Sequence, residues 1–176
     1  DGVNNKIDFD DDADTSISSA TDDTLVVEVA GATKATITSS QAIFTQTGDT
    51  DVFVIESTSA TAETSPDLVL FRNSSSPADD DTGGNIIFRG RNDNSQDVDY
   101  NSVTAACVDV SDGNESGRLE FATTIAGNSR EMIRFQAIGS AGSDTAEVAI
   151  NEGSADINFR VESNNNANMI KVDAGD

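Results

Sequence analysis

The sequence predicts an all-β protein with little or no helix, built of short antiparallel strands and hairpins, and three observations support this. Ile and Val number 27 against 4 Leu, and β-branched residues favour strands. Asp, Ser, Thr and Asn make up 75 of the 176 residues, and these short polar side chains disfavour helix interiors. No stretch longer than ten residues has the apolar spacing of an amphipathic helix, so a catalytic α/β scaffold is not supported.

Apolar and polar residues alternate with a period of two along the chain, and this alternation defines the predicted strands. Near the N-terminus, residues 25–29 and 35–37 flank Gly31, which predicts a hairpin. The cleanest alternation covers residues 155–162. The other predicted strands are residues 6–9, 41–45, 51–57, 67–72, 85–91, 97–110, 118–123, 130–138, 147–150 and 168–172. Turn-forming residues between strands occur at 74–77, 81–84, 112–114 and 164–166.

Charge and hydropathy exclude two classes of partner. The net charge of −22, from 32 acidic and 10 basic residues, repels a phosphate backbone, so nucleic acid is not expected to bind. No apolar run is long enough to span a bilayer, and no membrane insertion is expected. Because the chain starts at Asp1 rather than Met, we expect it to be a piece of a longer polypeptide.

The composition also removes most catalytic chemistry. The chain has no His, no Trp, one Cys and one Tyr, so Ser-His-Asp triads, Cys-His pairs and His-ligated zinc cannot form within it. We therefore expect no enzyme activity, no catalytic residue and no cofactor. Cys107 is interpreted as a small buried hydrophobe and Tyr100 as a half-buried strand residue.

An aspartate cluster is the strongest metal-binding candidate. It comprises Asp8, Asp10, Asp11, Asp12 and Asp14. The spacing of Asp10, Asp12 and Asp14 copies the start of an EF-hand loop, but Thr15 replaces the required Gly and Thr21 replaces the bidentate Glu. We assign no metal site, and whether Asp8–Asp14 binds a divalent cation stays open. Acidic residues 79–81 and 109–115 are interpreted as solvated turns.

The arginines are expected to form ion pairs, because the chain is acidic and they mostly lie beside apolar strand residues. The partners would be carboxylates on neighbouring strands or on neighbouring chains. The seven residues are Arg72, Arg89, Arg91, Arg118, Arg130, Arg134 and Arg160.

Two blocks resemble tail fibre proteins of bacteriophages, especially marine ones. The first covers residues 66–135, and its matching motifs are residues 76–78, Gly84-Asn85-Ile86-Ile87-Phe88, Tyr100, residues 117–121 and residues 131–134. The second, residues 156–175, looks like a fibre repeat that usually runs into Val-Gly-Ile-Gly. These are structural motifs, with no catalytic residues to carry over.

The resemblance implies an elongated, β-rich homotrimeric fibre that projects from the virion, outside the cell, and supports adsorption to a bacterium. The implied partners are two identical chains, other phage tail or virion proteins and, through a tip that is not in this chain, a bacterial surface glycan. Three regions are expected: an N-terminal β-hairpin shaft segment (1–47), a central β-rich fibre domain (48–138) and a C-terminal shaft repeat that leads to the tip (139–176).

The small number of large apolar residues favours assembly of several chains, and two rival functions stay open. Large apolar residues (Ile, Val, Leu and Phe) number 39 of 176, little to offset the ordering entropy of one chain, whereas three chains pool their burial. The first rival is a carbohydrate-binding β-sandwich module of a secreted or surface protein. The second is a capsule-degrading tailspike enzyme, whose carboxylate pair cannot be selected among 32 acidic residues.

Overall fold

The computed structural model describes residues 5–19, 21–62, 66–138, 145–151, 153 and 157–159. These residues form ten β-strands and no helix, in two antiparallel sheets of five strands each. The predicted all-β class with antiparallel strands is therefore confirmed. The chain divides into two compact units, Asp1–Leu68 and Val69–Asp176, and each contains one sheet. No helix among the described residues could cross a membrane.

The first unit is a five-stranded meander in which each strand pairs with the next along the chain. Its strands are β1 (Lys6–Asp8), β2 (Ser16–Ser18), β3 (Leu25–Val29), β4 (Ala32–Ile37) and β5 (Ala42–Phe44). The predicted hairpin is confirmed as β3–β4. Its two turn residues, Ala30 and Gly31, have φ angles of 51° and 70°, the left-handed conformation that a tight two-residue hairpin turn requires.

The second unit repeats this meander with longer strands. They are β6 (Asp81–Arg91), β7 (Asp97–Asp109), β8 (Ser116–Ile125), β9 (Asn128–Ala137) and β10 (Ala146–Ile150). The β8–β9 turn again consists of an Ala and a Gly, Ala126 and Gly127, with φ angles of 49° and 80°. The same turn chemistry therefore sets both hairpin registers.

Neither unit has a conventional core. Among the described residues only Ala35, Ala106 and Ser16 are buried, and large apolar side chains of both sheets lie at the surface. Each sheet is a single layer, and no other described layer of its unit covers it.

Two predicted strands in the described part are wrong. Residues 51–57 form no strand. Four apolar residues follow one another there, Val52 to Ile55, without the alternation that makes one face of a strand apolar, and the Phe53 ring packs instead on Phe44 with centroids 5.5 Å apart. Residues 67–72 also form no strand, because Leu70 lies against Gly84 of β6 and is not paired at the sheet edge.

Other elements differ in smaller ways. Residues 81–84, expected to be a turn, begin β6, and the two glycines there permit a bulge between Thr82 and Gly84. Strand β2, a Ser-Ile-Ser segment, was not predicted, since it has one apolar residue and no detectable period. Of the predicted strand 155–162, only Ile157–Phe159 is described, and it is not a strand. The predictions for 164–166 and 168–172 fall outside the described residues, and the three-region division stays a prediction.

Candidate interaction surface

The register of the second sheet gathers apolar side chains on one face, which we call the apolar face of β6–β10. Directly paired residues point to the same side of a sheet, so the pairings define continuous rows across all five strands. One row consists of Ile86, Val103, Phe121, Ile133 and Ile150. The adjacent row consists of Gly84, Ala105, Leu119, Phe135 and Val148. None of these ten positions carries a charge.

The opposite face of the same sheet is polar and ion-paired. Its rows include Thr104, Glu120 and Arg134, and Ala106, Arg118 and Gln136. Arg118 Nε lies 2.6 Å from Glu120 Oε1, and Arg134 Nη1 donates to Gln136 Oε1 at 2.9 Å. These contacts lay the long polar side chains flat on the sheet, so that Arg118 is 22% and Arg134 15% exposed.

The two faces have the reverse of the usual exposure. On the apolar face, Phe121 is 38%, Phe135 45% and Val148 61% exposed, all more than the arginines of the polar face. The rings of Phe121 and Phe135 meet edge to face at 6.2 Å, but their outer sides have no partner among the described residues of the chain. The apolar face is thus formed and unfilled, the arrangement expected of an interaction surface.

One short segment covers an end of this face. We call residues Val69, Leu70, Phe71 and Arg72 the strap. A Cβ added to Gly84 would lie 3.1 Å from Leu70 Cβ, so glycine permits the close approach of the strap to β6. Arg72 anchors it, with Nη2 3.0 Å from Asp81 Oδ1 and Nη1 donating to the Thr82 carbonyl at 3.1 Å.

A cavity of about 340 Å³ remains between strap and sheet. Its lining includes Leu70, Ile86, Val103, Cys107 and Leu119. Cys107 is therefore on the apolar side as a free, half-buried thiol, less enclosed than the predicted buried hydrophobe.

The first sheet has the same two-faced construction. One row runs through Ile7, Ile17, Val27, Ala35 and Phe44, with an apolar residue on every strand. Ile7 is 63% and Phe44 51% exposed. On the other face Lys6 Nζ lies 2.9 Å from Asp8 Oδ1, and Ser16 Oγ donates to Glu28 Oε2 at 3.2 Å. Each unit thus carries an unfilled apolar face of its own.

The structure brings part of the predicted aspartate cluster together. Carboxylate oxygens of Asp10, Asp12 and Asp14 lie within 4.8 Å of one another. Hydrogen bonds from Thr15 lower the pKa of Asp10, whereas desolvation and the neighbouring carboxylates raise the pKa of Asp14. An EF-hand needs a helix on each side of its loop, whereas β1 precedes this cluster and β2 and β3 follow it, so an EF-hand is excluded and the cluster carries no assigned cation.

The predicted pairing of arginines with carboxylates on a neighbouring strand is confirmed for Arg89 and Arg91. Arg89 pairs with Asp99 and Arg91 with Asp97, both across the β6–β7 hairpin. Hydrogen bonds from Arg89 lower the pKa of Asp99. Arg72 pairs with Asp81 at the start of β6, and Arg118 with Asp80. Arg118 and Arg134 also pair with Glu120 and Glu131 of their own strands. Arg130 forms no ion pair with a described residue, and Arg160 lies outside the described residues.

A half-open groove of about 230 Å³ lies over the β6–β8 strands. It includes Asn85, Tyr100, Thr104 and Thr123, and Asp99 is its one acidic lining residue in the described part. Tyr100, a strand residue as predicted, is 41% exposed and faces Gly90. Glycoside hydrolysis needs two facing carboxylates, and this groove offers one, already held by Arg89.

Comparison with protein-family models, curated proteins and solved structures finds no significant match to this chain. The resemblance to tail fibre proteins therefore stays a prediction.

Proposed function

We propose that this chain is a structural, non-enzymatic segment of a bacteriophage tail fibre, assembled as an elongated homotrimer that projects from the virion and supports adsorption to the host. The observation that carries the proposal is the unfilled apolar face on each of the two sheets. A binding module or an enzyme that worked as a monomer would bury such a face inside its own fold.

Three copies supply what one chain lacks. If the apolar faces of three chains turn toward a common axis, they form a shared core, and burial of apolar surface drives the association. The ion-paired faces then lie outside, where their charges stay hydrated. A trimer also places neighbouring chains beside the free edges of β1, β5, β6 and β10, which otherwise present unpaired backbone groups.

The resemblance of residues 66–135 and 156–175 to phage fibre blocks gives this structural role its biological setting. Partners are then two identical chains and other tail or virion proteins, with contact to bacterial glycan made by a tip outside this chain. The carbohydrate-binding β-sandwich remains the alternative. It requires two sheets of one chain packed face to face, an arrangement that a stable monomer would favour.

Light scattering coupled to gel filtration tests the assembly. We expect a mass of three times 18.4 kDa with an early, elongated elution. A compact, stable monomer at micromolar concentration would refute the proposal and favour the β-sandwich module.

Immunogold electron microscopy tests the location. Antibodies raised against the purified chain should label fibres of the phage that encodes it and slow its adsorption, whereas pre-immune serum should do neither. Labelling confined to the capsid would contradict the fibre assignment.

A further inference from the structure

We propose that the strap of one chain packs on the β8–β10 half of the apolar face of the next chain, so that each strap is held between its own sheet and that of a neighbour. The inference rests on the proposed homotrimer and identifies the contact that closes it. The occupant of the uncovered half-face is thus a second copy of this chain, through Val69 and Phe71.

The strap has two sides. Leu70 is 49% exposed and faces its own β6, whereas Val69 is 76% exposed. Phe71 borders the cavity between strap and sheet but is still 78% exposed. Val69 and Phe71 are the most exposed large apolar residues in the described part of the chain. Arg72 fixes the segment to Asp81 and Thr82, so the outer side chains are presented from an anchored backbone.

The sheet has an uncovered half that matches them. The strap lies over β6, β7 and Leu119 of β8 and leaves the rest of β8–β10 open, where exposure rises toward the edge strand, from 38% at Phe121 to 61% at Val148. The five large apolar residues of this half are Phe121, Ile133, Phe135, Val148 and Ile150. Neither these residues nor Val69 and Phe71 carry a charge, so two copies meet here without bringing their net negative charges into contact.

The area is sufficient for a stable contact. At about 180 Å² for a fully exposed large apolar side chain, the five residues of the half-face expose roughly 400 Å² and the two of the strap about 300 Å². The two sides of a contact bury about equal areas, so the strap sets roughly 600 Å² of apolar burial, or about 1,000 Å² in total if non-polar atoms contribute about 60%. This reaches the roughly 1,000 Å² that a specific interface needs.

The contact is heterologous, because the strap of one chain packs on the sheet of the next chain and not on that chain's strap. Such a contact generates a ring if its rotation closes, and three copies are the closure that the proposed fibre supplies. Every chain then gives its strap to one neighbour and receives the strap of the other.

Disulfide trapping tests this directly. In the full chain with Cys107→Ala, Phe71→Cys is combined with Phe135→Cys or with Val148→Cys, and mild oxidation is followed by non-reducing electrophoresis. Heterologous contacts around a closed ring give a covalent trimer, whereas each single-cysteine variant gives at most a dimer. The matched controls combine Phe71→Cys with Gln136→Cys or Glu147→Cys, whose positions are adjacent but on the opposite face.

The outcomes separate the inference from the proposed function. A covalent trimer from the apolar-face pairs and not from the controls supports it. Suppose that light scattering shows a trimer. The strap contact is then overturned, and the trimer is not, if no covalent trimer forms, if the control pairs give equal yields, or if disulfides form only within single chains. A monomer by light scattering overturns both.

A second measurement avoids introduced cysteines. Phe71→Ser removes a side chain that its own chain hardly covers, so we expect the concentration at half-assembly to rise at least tenfold. Asn73→Ser, just beyond the strap, should leave it unchanged. No difference between the two variants overturns the contact.

Discussion

Replacing Phe135 with Ala tests whether the apolar face of β6–β10 is buried between chains. Phe135 lies in the middle of this face and is 45% exposed within its own chain. For a Phe of about 200 Å², the surface left for a neighbour to cover is about 90 Å², worth about 2 kcal/mol at 25 cal/mol per Å². A trimer loses this three times, about 6 kcal/mol in all.

This loss converts to a measurable change in concentration. About 6 kcal/mol is a factor of roughly 10⁴ in the trimer association constant, since each 1.4 kcal/mol is tenfold. The concentration at half-assembly varies as the inverse square root of that constant, so Phe135→Ala should raise it about 100-fold. Sedimentation equilibrium across a dilution series measures it, with circular dichroism at the same concentrations to follow strand content.

Gln136→Ala is the matched control, because Gln136 is the next residue on β9 and lies on the polar face. It should shift half-assembly by no more than a few-fold. If Phe135→Ala shifts assembly less than fivefold, or if the two variants behave alike, the apolar face is not the buried one and the reasoning fails.

Three further predictions concern charge and chemistry. Arg89 lowers the pKa of Asp99, so the pair stabilises the fold above the usual aspartate pKa of about 3.9, and this stabilisation is lost as pH falls through the lowered pKa. Asp99→Asn should therefore be less stable than the parent at pH 7 and equally stable near pH 2. Equal stability at pH 7 would contradict this. A net charge of −22 per chain repels itself over a screening length of about 8–10 Å, so the unfolding temperature should rise between about 10 mM and 500 mM salt, and a flat response would count against charge repulsion. The purified chain should leave capsule, lipopolysaccharide and peptidoglycan intact, and cleavage that two Asp or Glu substitutions abolish would establish an enzyme.

The fold class could be predicted because apolar and polar residues alternate over enough positions in the long strands to be recognised. The predictions 97–110 and 130–138 lie within two residues of β7 and β9, since apolar residues recur every second position at Val103, Ala105 and Cys107 and at Ile133, Phe135 and Ala137. Strand β2 has one apolar residue, Ile17. It is a strand because it pairs with β1 and β3, and its local sequence does not predict that pairing.

The strap shows a different limit of sequence reasoning. Leu68, Val69, Leu70 and Phe71 form an apolar run, and such a run is compatible with a strand, a buried segment or a surface contact. What distinguishes them is tertiary: Gly84 opens a place for Leu70, and Arg72 reaches Asp81. The interaction surface was equally hidden, because alternation predicts two faces for a strand but not whether another layer of the same chain covers the apolar one.

The polar face contributes little to the stability of a lone chain. Its long polar side chains contact one another along single strands, as in Arg118 with Glu120 on β8 and Arg134 with Gln136 on β9. Surface pairs of this kind contribute little each, about 0–1 kcal/mol, and they do not make the lone chain stable. In the proposed trimer the large term is the burial of the apolar rows between chains. Folding and association of this chain should therefore be one coupled step, with stability that depends on protein concentration.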